Sequence, residues 1–306
     1  MSENDQAYRT SKRACHTEEY GTDGPVDKDS DPLLTEPPHL GREGAGPQQE
    51  PGRVEHAVIK VPAVTVGFWV VKVAATTLGE TGGDWVSMSL NLGYLVGTAI
   101  FAVLFIGLVS AQVKAAKLHP FLYWGTIVAT TTLGTTMADF ADRSLGVGYP
   151  GGVAIVFGLL IASLAIWLRA EGTVSVASVT TPRVEWFYWC TILFSQTLGT
   201  ALGDWVAGSD RGGLGLGYEN GAMLFGAGLV VAGALYLWTR MSRTVLFWAA
   251  FILTRPLGAT VGDLLDKPVA QGGFNISRLY ASLALLAFVV VYIWIVPQRP
   301  ARSESQ

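Results

Sequence analysis

The chain has 306 residues, of which 50% are hydrophobic and 15% are charged, with a formal net charge of −3 and a mean hydropathy of +0.37. So few charges and a positive mean hydropathy exclude an ordinary soluble globule of this length, and the sequence has no basic patch for binding nucleic acid. The composition indicates a polytopic membrane protein.

The first 60 residues differ in composition from the rest. They hold 12 of the 24 acidic residues and 7 of the 21 basic ones, they are rich in Pro and Gly, and they contain no apolar core of the length of a secretory signal. Such a segment cannot bury enough apolar surface to offset the entropy lost on ordering. We therefore predict a disordered cytoplasmic tail over residues 1–60.

Eight apolar runs follow Lys60, each near the ~20 residues that a helix needs to cross the hydrocarbon core. Because these runs are too long for barrel strands, we predict an all-α polytopic membrane domain over residues 61–298, then a short cytoplasmic tail, 299–306. The predicted transmembrane helices lie at about 62–84, 91–112, 120–140, 149–169, 184–206, 217–239, 243–265 and 276–297.

One sequence pattern occurs four times along these helices. In every copy a Trp precedes Leu-Gly by nine positions, and an Asp follows that Gly by five. Successive Trp residues lie 55, 65 and 59 positions apart, about the length of one helix pair. Since each copy has two helices, we predict four parallel repeats, at about 62–112, 120–170, 184–239 and 243–297. We interpret their Trp residues as interfacial anchors: Trp69, Trp124, Trp189 and Trp248.

Lys and Arg residues predict the orientation. Ten of them lie on the side of the N-terminus and four lie in the opposite loops, at Arg143, Arg211, Lys267 and Arg278. Cytoplasmic loops carry the excess of positive charge, so both termini are predicted in the cytoplasm. An even number of helices requires the same side for both ends.

The first repeat carries ionisable groups one helical turn apart. Lys72, Thr76, Glu80 and Asp84 share one helix face, and the fourth repeat supplies Arg255 and Asp263 at equivalent positions. Charges within a span normally face a bundle interior or an aqueous cavity and pair with one another. The first and fourth repeats therefore predict a substrate- or ion-binding site, comprising Glu80, Asp84, Asp263, Lys72, Arg255 and Thr76.

A packing interpretation accounts for part of the same pattern. Each repeat has two small residues four positions apart just before its Asp, as in Gly199-x-x-x-Gly203, and such pairs let helix backbones approach closely. The Asp residues of the middle repeats, Asp139 and Asp204, are assigned either supporting roles or simple capping of the following turn.

The fourfold pattern, with a Gly-Tyr after the Asp, resembles a bacterial family of membrane-anchored proteins of unknown function. That family is made of four tandem repeats, each with two transmembrane segments and a characteristic Trp. The resemblance covers about residues 60–297 and implies the architecture without implying an activity. The fourth copy departs from it, since Leu264 replaces the Trp after the Asp and Phe274 replaces the Tyr.

Two functional hypotheses follow. The first is a transporter in a bacterial inner membrane for a small solute or cation, with proton coupling, because carboxylates suit hard cations and protons. In this hypothesis Lys72 and Arg255 are exchangeable counter-ions of the carboxylates. The second is a non-transporting membrane scaffold or signalling partner. No catalytic triad, metal cluster or nucleotide loop is evident, so neither an enzyme nor a cofactor is expected. The metal, if any, and the oligomeric state stay open.

Overall fold

The computed structural model describes residues 60–301. Within this range the secondary structure is helical, with eight α-helices and no strand. The α-helices are α1 (Val66–Asp84), α2 (Gly93–Lys114), α3 (Pro120–Asp139), α4 (Tyr149–Glu171), α5 (Pro182–Ala207), α6 (Gly217–Trp238), α7 (Arg243–Asp266) and α8 (Arg278–Ile295). The predicted disordered tail lies outside the described residues, except for Lys60.

Local sequence signals mark the helix ends. The Thr65 and Thr181 hydroxyls accept hydrogen bonds from the first turns of α1 and α5, and α3 and α5 begin with a proline, which suits a position whose N–H has no partner. Gly172, in the left-handed region, ends α4. Short π-helical turns, Trp85–Ser89 and Phe140–Ser144, extend α1 and α3.

The first helices of the four repeats form an inner ring. Helix α1 packs against α3 and α7, and α5 packs against the same two neighbours, so the ring is closed. All four inner helices run in the same direction, which places the four repeat Asp residues at one end of the ring. The parallel arrangement expected from the sequence is thus present in the structure.

Each second helix packs against the inner helix of the next repeat. Helix α2 packs on α3, α4 on α5, α6 on α7, and α8 returns to pack on α1. Within the first repeat, by contrast, α1 and α2 meet mainly through the π-helical turn that joins them. The repeats therefore interlock, and the stable unit is the complete ring.

The outer helices present apolar side chains to the surroundings. Five helices, α2, α4, α6, α7 and α8, are long and apolar enough to cross a membrane. The outer ones expose large residues such as Leu95, Val103 and Val230, and an apolar surface of this extent in a monomer marks contact with lipid or another protein. The chain is therefore a helical membrane protein. The inner helices α1, α3 and α5 are less apolar because one face of each carries polar residues toward the ring axis.

The predicted role of the repeat Trp residues as interfacial anchors is wrong for three of the four. Trp124, Trp189 and Trp248 are buried, at 1%, 1% and 5% exposure, and only Trp69 is partly exposed. They pack edge-on against aromatic neighbours, and the hydroxyls of Tyr123 and Tyr188 share a 2.7 Å hydrogen bond among them. An aromatic residue precedes each Trp, so the ring closes with a packed aromatic layer at its N-terminal end.

The two ends of the described chain meet. Pro62 and Pro300 form an antiparallel bridge, and Ala63 donates its backbone N–H to the carbonyl of Arg299. Lys60 ion-pairs with Glu185 and donates to the carbonyl of Val113 at 2.9 Å. Both ends of the helical domain therefore lie on the same side of the ring, as an even number of helices requires.

Candidate functional site

The ring axis is lined by four layers, each with one residue from every repeat. Starting from the aromatic end, we call them the lysine, arginine, glutamate and aspartate layers. They are separated by one helical turn, at three, seven, eleven and fifteen residues after each Trp. The lysine layer is Lys72, Ile127, Ile192 and Phe251. The arginine layer is Thr76, Thr131, Gln196 and Arg255. The glutamate layer is Glu80, Thr135, Thr200 and Ala259. The aspartate layer is Asp84, Asp139, Asp204 and Asp263. No residue of the four layers exceeds 4% exposure.

Arg255 and Glu80 form a buried ion pair between the first and fourth repeats. The Nη2 of Arg255 lies 2.9 Å from Oε2 of Glu80, as expected from the sequence. The same nitrogen donates to the hydroxyls of Thr135 and Thr200, each at 2.5 Å. The other three repeats thus hold this one guanidinium of the fourth, because Glu80, Thr135 and Thr200 come from the first, second and third repeats.

Lys72 does not serve as the counter-ion that the sequence suggested. Among residues 60–301 it has no ion pair, and its Nζ donates to Oε1 of Gln196 at 3.3 Å and lies 4.1 Å from the centre of the Phe251 ring. Glu80 lies two turns further along α1, beyond reach of the Lys72 side chain. Thr76 is also satisfied by backbone, since its hydroxyl donates to the carbonyls of Val73 and Thr254.

The aspartate layer is held mainly by two cations from the turns that follow it, and Arg278 adds a longer contact, 3.8 Å from Asp84. Lys267 bridges the fourth and first repeats, with its Nζ 3.0 Å from Asp263 and 2.5 Å from Asp84. Arg143 bridges the second and third repeats, at 2.5 Å from Asp139 and 3.5 Å from Asp204. Asp139 and Asp204 therefore occupy the same kind of ion pair as Asp84 and Asp263.

Three of the predicted site residues converge at one place. One carboxylate oxygen from each of Glu80, Asp84 and Asp263 lies within 4.8 Å of the other two. Oxygen ligands at such spacing suit a hard cation. The ammonium of Lys267 already lies against two of these carboxylates. Although burial favours its neutral form, the surrounding carboxylates, Asp263 first, hold the pKa of Lys267 well above its usual range.

Glycines bring the inner helices close enough for these contacts. The first glycine of each small pair faces the arginine-layer residue of the next repeat. A Cβ added at Gly79 would lie 2.2 Å from Thr131, and one at Gly199 would lie 2.2 Å from Arg255. Gly258 faces Thr76 in the same way and so closes the ring from α7 to α1. The packing interpretation of the glycines agrees with this geometry.

Arg143 and Lys267, which hold the aspartate layer, are predicted from the sequence only as loop charges. Their signal was present. In the second and fourth repeats a base follows the repeat Asp by four residues, and an acid precedes that base, as Asp142-Arg143 and Asp266-Lys267. The first and third repeats have neither. The four repeats are thus of two alternating kinds, and each cation reaches the Asp of its own repeat and of the next.

Comparison with known families explains the fourfold pattern. The family model named Repeat of Unknown Function (DUF347) matches residues 67–117, 122–173, 187–242 and 246–299, which together exceed half of the chain. The chain belongs to this DUF347 family. No curated protein and no solved structure matches it. The four DUF347 matches coincide with the four helix pairs, so the layers on the axis are built from equivalent positions of the family's repeat. The family's description assigns no activity.

Proposed function

We propose that all eight α-helices of this DUF347 protein cross the bilayer and that the protein transports a small cation or proton. Helices α1, α3 and α5 lie in the same ring as α7, which is apolar enough to span, and outer helices cover them. The polar residues of α1, α3 and α5 face the ring axis and not the lipid, so the lower hydropathy of these helices is compatible with their crossing the bilayer. Transport across a bacterial inner membrane, without catalysis or a cofactor, suits this arrangement.

The observation that carries the proposal is the buried carboxylate cluster of Glu80, Asp84 and Asp263. Helix packing requires none of these charges, and each is costly inside a membrane domain. The Lys267 ammonium occupies the position in which an incoming cation would meet Asp84 and Asp263. A substrate cation would therefore compete with Lys267, and movement of that side chain would open and close the cluster.

The test is ion flux in proteoliposomes that contain the full-length protein and a trapped pH-sensitive dye. A potassium diffusion potential is applied, and proton entry is followed with and without sodium, magnesium or manganese outside. We expect flux above that of empty vesicles, abolished by Asp84→Asn combined with Asp263→Asn. The matched control is Asp210→Asn, because Asp210 is an exposed acid of the α5–α6 loop.

The same structure contains an observation that favours a static scaffold. All four aspartate-layer carboxylates are already paired with cations of the chain, and many buried Thr hydroxyls donate to carbonyls of their own helix. An aspartate layer paired in this way needs no bound cation. Wild-type vesicles with no proton flux above that of empty vesicles, with or without these cations outside, would favour the scaffold and contradict transport.

A further inference from the structure

The lysine, arginine and glutamate layers have more positive than negative charge. Lys72 and Arg255 are the cations of these layers, and Glu80 is their carboxylate. The next carboxylates along the axis, in the aspartate layer, lie against Lys267 and Arg143. Lys72 is fully buried, and a buried charge without a counter-charge is strongly destabilising.

Hydrogen-bond donors of the arginine layer, next to the lysine layer, also lack partners. Within residues 60–301, no acceptor contacts Nε2 of Gln196 or the Nε and Nη1 nitrogens of Arg255, and the Thr131 hydroxyl has no hydrogen bond. All of these side chains are fully buried. Because Lys72 donates to Oε1 of Gln196, the amide of Gln196 is oriented with its NH₂ group as a free donor. Buried donors are normally satisfied, so such a group of them indicates a ligand that accepts.

We infer that the lysine and arginine layers form a binding site for a small monovalent inorganic anion of halide size. Each repeat supplies one group to it: Lys72, Thr131, Gln196 and Arg255. The site adjoins the carboxylate cluster without sharing a residue with it, because Arg255 of the site pairs with Glu80 of the cluster. It is independent of whether any ion crosses the membrane.

The chemistry of the site favours an anion over the alternatives. A cation would add a third positive charge beside Lys72 and Arg255. A water molecule accepts hydrogen bonds but supplies no negative charge. An anion does both, since it balances Lys72 and accepts from the guanidinium, the amide and the hydroxyl. Close packing by the glycines restricts its size, because Gly134 and Gly199 press neighbouring helices against Gln196 and Arg255.

The test uses purified full-length protein in detergent. Chloride is the probe, and gluconate is the comparison anion, which is too large for the site. The midpoint of thermal unfolding is followed by Trp fluorescence while chloride replaces gluconate at constant pH and ionic strength. A ligand that binds only the folded state raises the Tm in a saturable way. We expect a rise of about 5 °C at chloride a hundredfold above its Kd.

Three variants decide whether the chloride effect comes from this site. Lys72→Met removes the charge, and Gln196→Leu removes the amide, so both are expected to abolish the chloride-dependent rise. In gluconate the Lys72→Met variant should unfold at a temperature no lower than that of the wild type. Lys117→Met is the matched control, since Lys117 is exposed in the loop between α2 and α3, and it should retain the full rise.

Two results would overturn the inference. Equal Tm values for the wild type in chloride and gluconate would mean that water alone satisfies these donors or that Lys72 is neutral. A chloride-dependent rise that persists in both Lys72→Met and Gln196→Leu would place the anion elsewhere. If Lys72→Met fails to fold, the wild-type comparison and Gln196→Leu still decide the question.

Discussion

At the scale of single residues, Arg255 is a buried cation that depends on a single carboxylate within the described part of the chain. Its guanidinium is fully buried, it pairs with Glu80, and Thr135 and Thr200 accept from the same nitrogen. Removing one partner of a buried ion pair leaves the other as an unpaired charge, whereas removing both does not. The contribution of this ion pair to the free energy of unfolding is therefore measured by the coupling energy between the two side chains.

A double-mutant cycle measures this coupling. Arg255→Leu alone is expected to destabilise the protein by about 3–5 kcal/mol, because Glu80 loses its counter-charge. The double variant Arg255→Leu with Glu80→Gln should be less damaged than Arg255→Leu alone. The measurement is unfolding of the purified protein, repeated as ion uptake in vesicles. Additive effects within about 0.5 kcal/mol would show that the two residues are not coupled.

Asp142 is a second buried ionisable residue whose position costs folding free energy. It lies in the turn between α3 and α4, it is fully buried, and neither of its carboxylate oxygens has a hydrogen-bond partner among residues 60–301. An added Cβ at Gly152 would lie 2.1 Å from its Oδ1, so α4 packs directly against it. Burial, followed by the negative charge of Asp204, raises the pKa of Asp142 to about 7.

This pKa predicts a pH dependence of stability. The folded pKa is above the unfolded value of about 3.9, so the folded protein binds more protons between these values. Stability from Asp142 is therefore greatest at acid pH and falls as the pH rises toward about 7. Asp142→Asn should come closest to the wild-type Tm at or below about pH 4, near the unfolded pKa, and should exceed it by a margin that grows up to pH 8.

The control for this titration is Asp210→Asn, at an exposed acid on the same side of the ring. It should keep the wild-type dependence of Tm on pH. A constant difference in Tm between Asp142→Asn and the wild type from pH 5 to pH 8 would contradict a raised pKa of Asp142.

At the scale of helices, the inner ring depends on positions where a side chain cannot fit. Gly199 of α5 lies against the Cβ and Cγ atoms of Arg255, so even a methyl group would displace the residue that holds Glu80. Gly125 of α3 is also in an inner helix, but an added Cβ there would have no atom within 4 Å. Substituting both glycines therefore distinguishes the cost of filling a close helix contact from the intrinsic effect of replacing glycine in a helix.

Gly199→Ala and Gly125→Ala therefore form a matched pair. Gly199→Ala is expected to destabilise the protein by roughly 1–3 kcal/mol, since overpacking forces helices or side chains apart. Gly125→Ala is expected to be neutral or to stabilise by up to about 1 kcal/mol, because Ala favours helix. Denaturant unfolding of both variants checks this. Equal effects would mean that the α5–α7 contact is looser than the structure indicates.

At the scale of the whole molecule, a closed ring of four repeats contains a twofold pattern. The aspartate layer repeats four times, but its cations come only from the second and fourth repeats. Each cation joins its own repeat to the next. The outer helices α2, α4, α6 and α8 likewise join each repeat to the next, through apolar packing. Charge and packing therefore close the ring in the same direction around the axis.

The orientation of this ring in the membrane is tested by labelling. In a variant with Cys15→Ser and Cys190→Ser, Ser209→Cys places a thiol in the exposed loop between α5 and α6. An impermeant thiol reagent should label it in intact cells. Lys117→Cys, in the loop between α2 and α3 at the other end of the ring, should react only after lysis, as should Ser11→Cys in the tail. The reverse pattern would contradict the orientation predicted from Lys and Arg.

The sequence by itself determined the helices, the four repeats, their parallel direction and the stripe of polar residues along one helix face. These features depend on hydropathy, on spacing of three or four residues and on self-similarity, all of which are local. The meeting of Arg255 with Glu80 also followed, because equivalent positions in parallel repeats share a level on the axis. The Asp-base pairs Asp142-Arg143 and Asp266-Lys267 are also present in the sequence. They occur in every second repeat and so give the ring its twofold pattern.

Only the tertiary structure decided the contacts of the repeat Trp residues, of Lys72 and of Asp84. The Trp residues are buried because aromatic neighbours from adjacent inner helices pack around them, a contact that hydropathy at a helix start does not reveal. Lys72 contacts Gln196 rather than a carboxylate, and Asp84 pairs with Lys267 of another repeat. Such choices depend on the order of helices around the ring. That order arises because each outer helix buries its apolar face on the next repeat, not on its own.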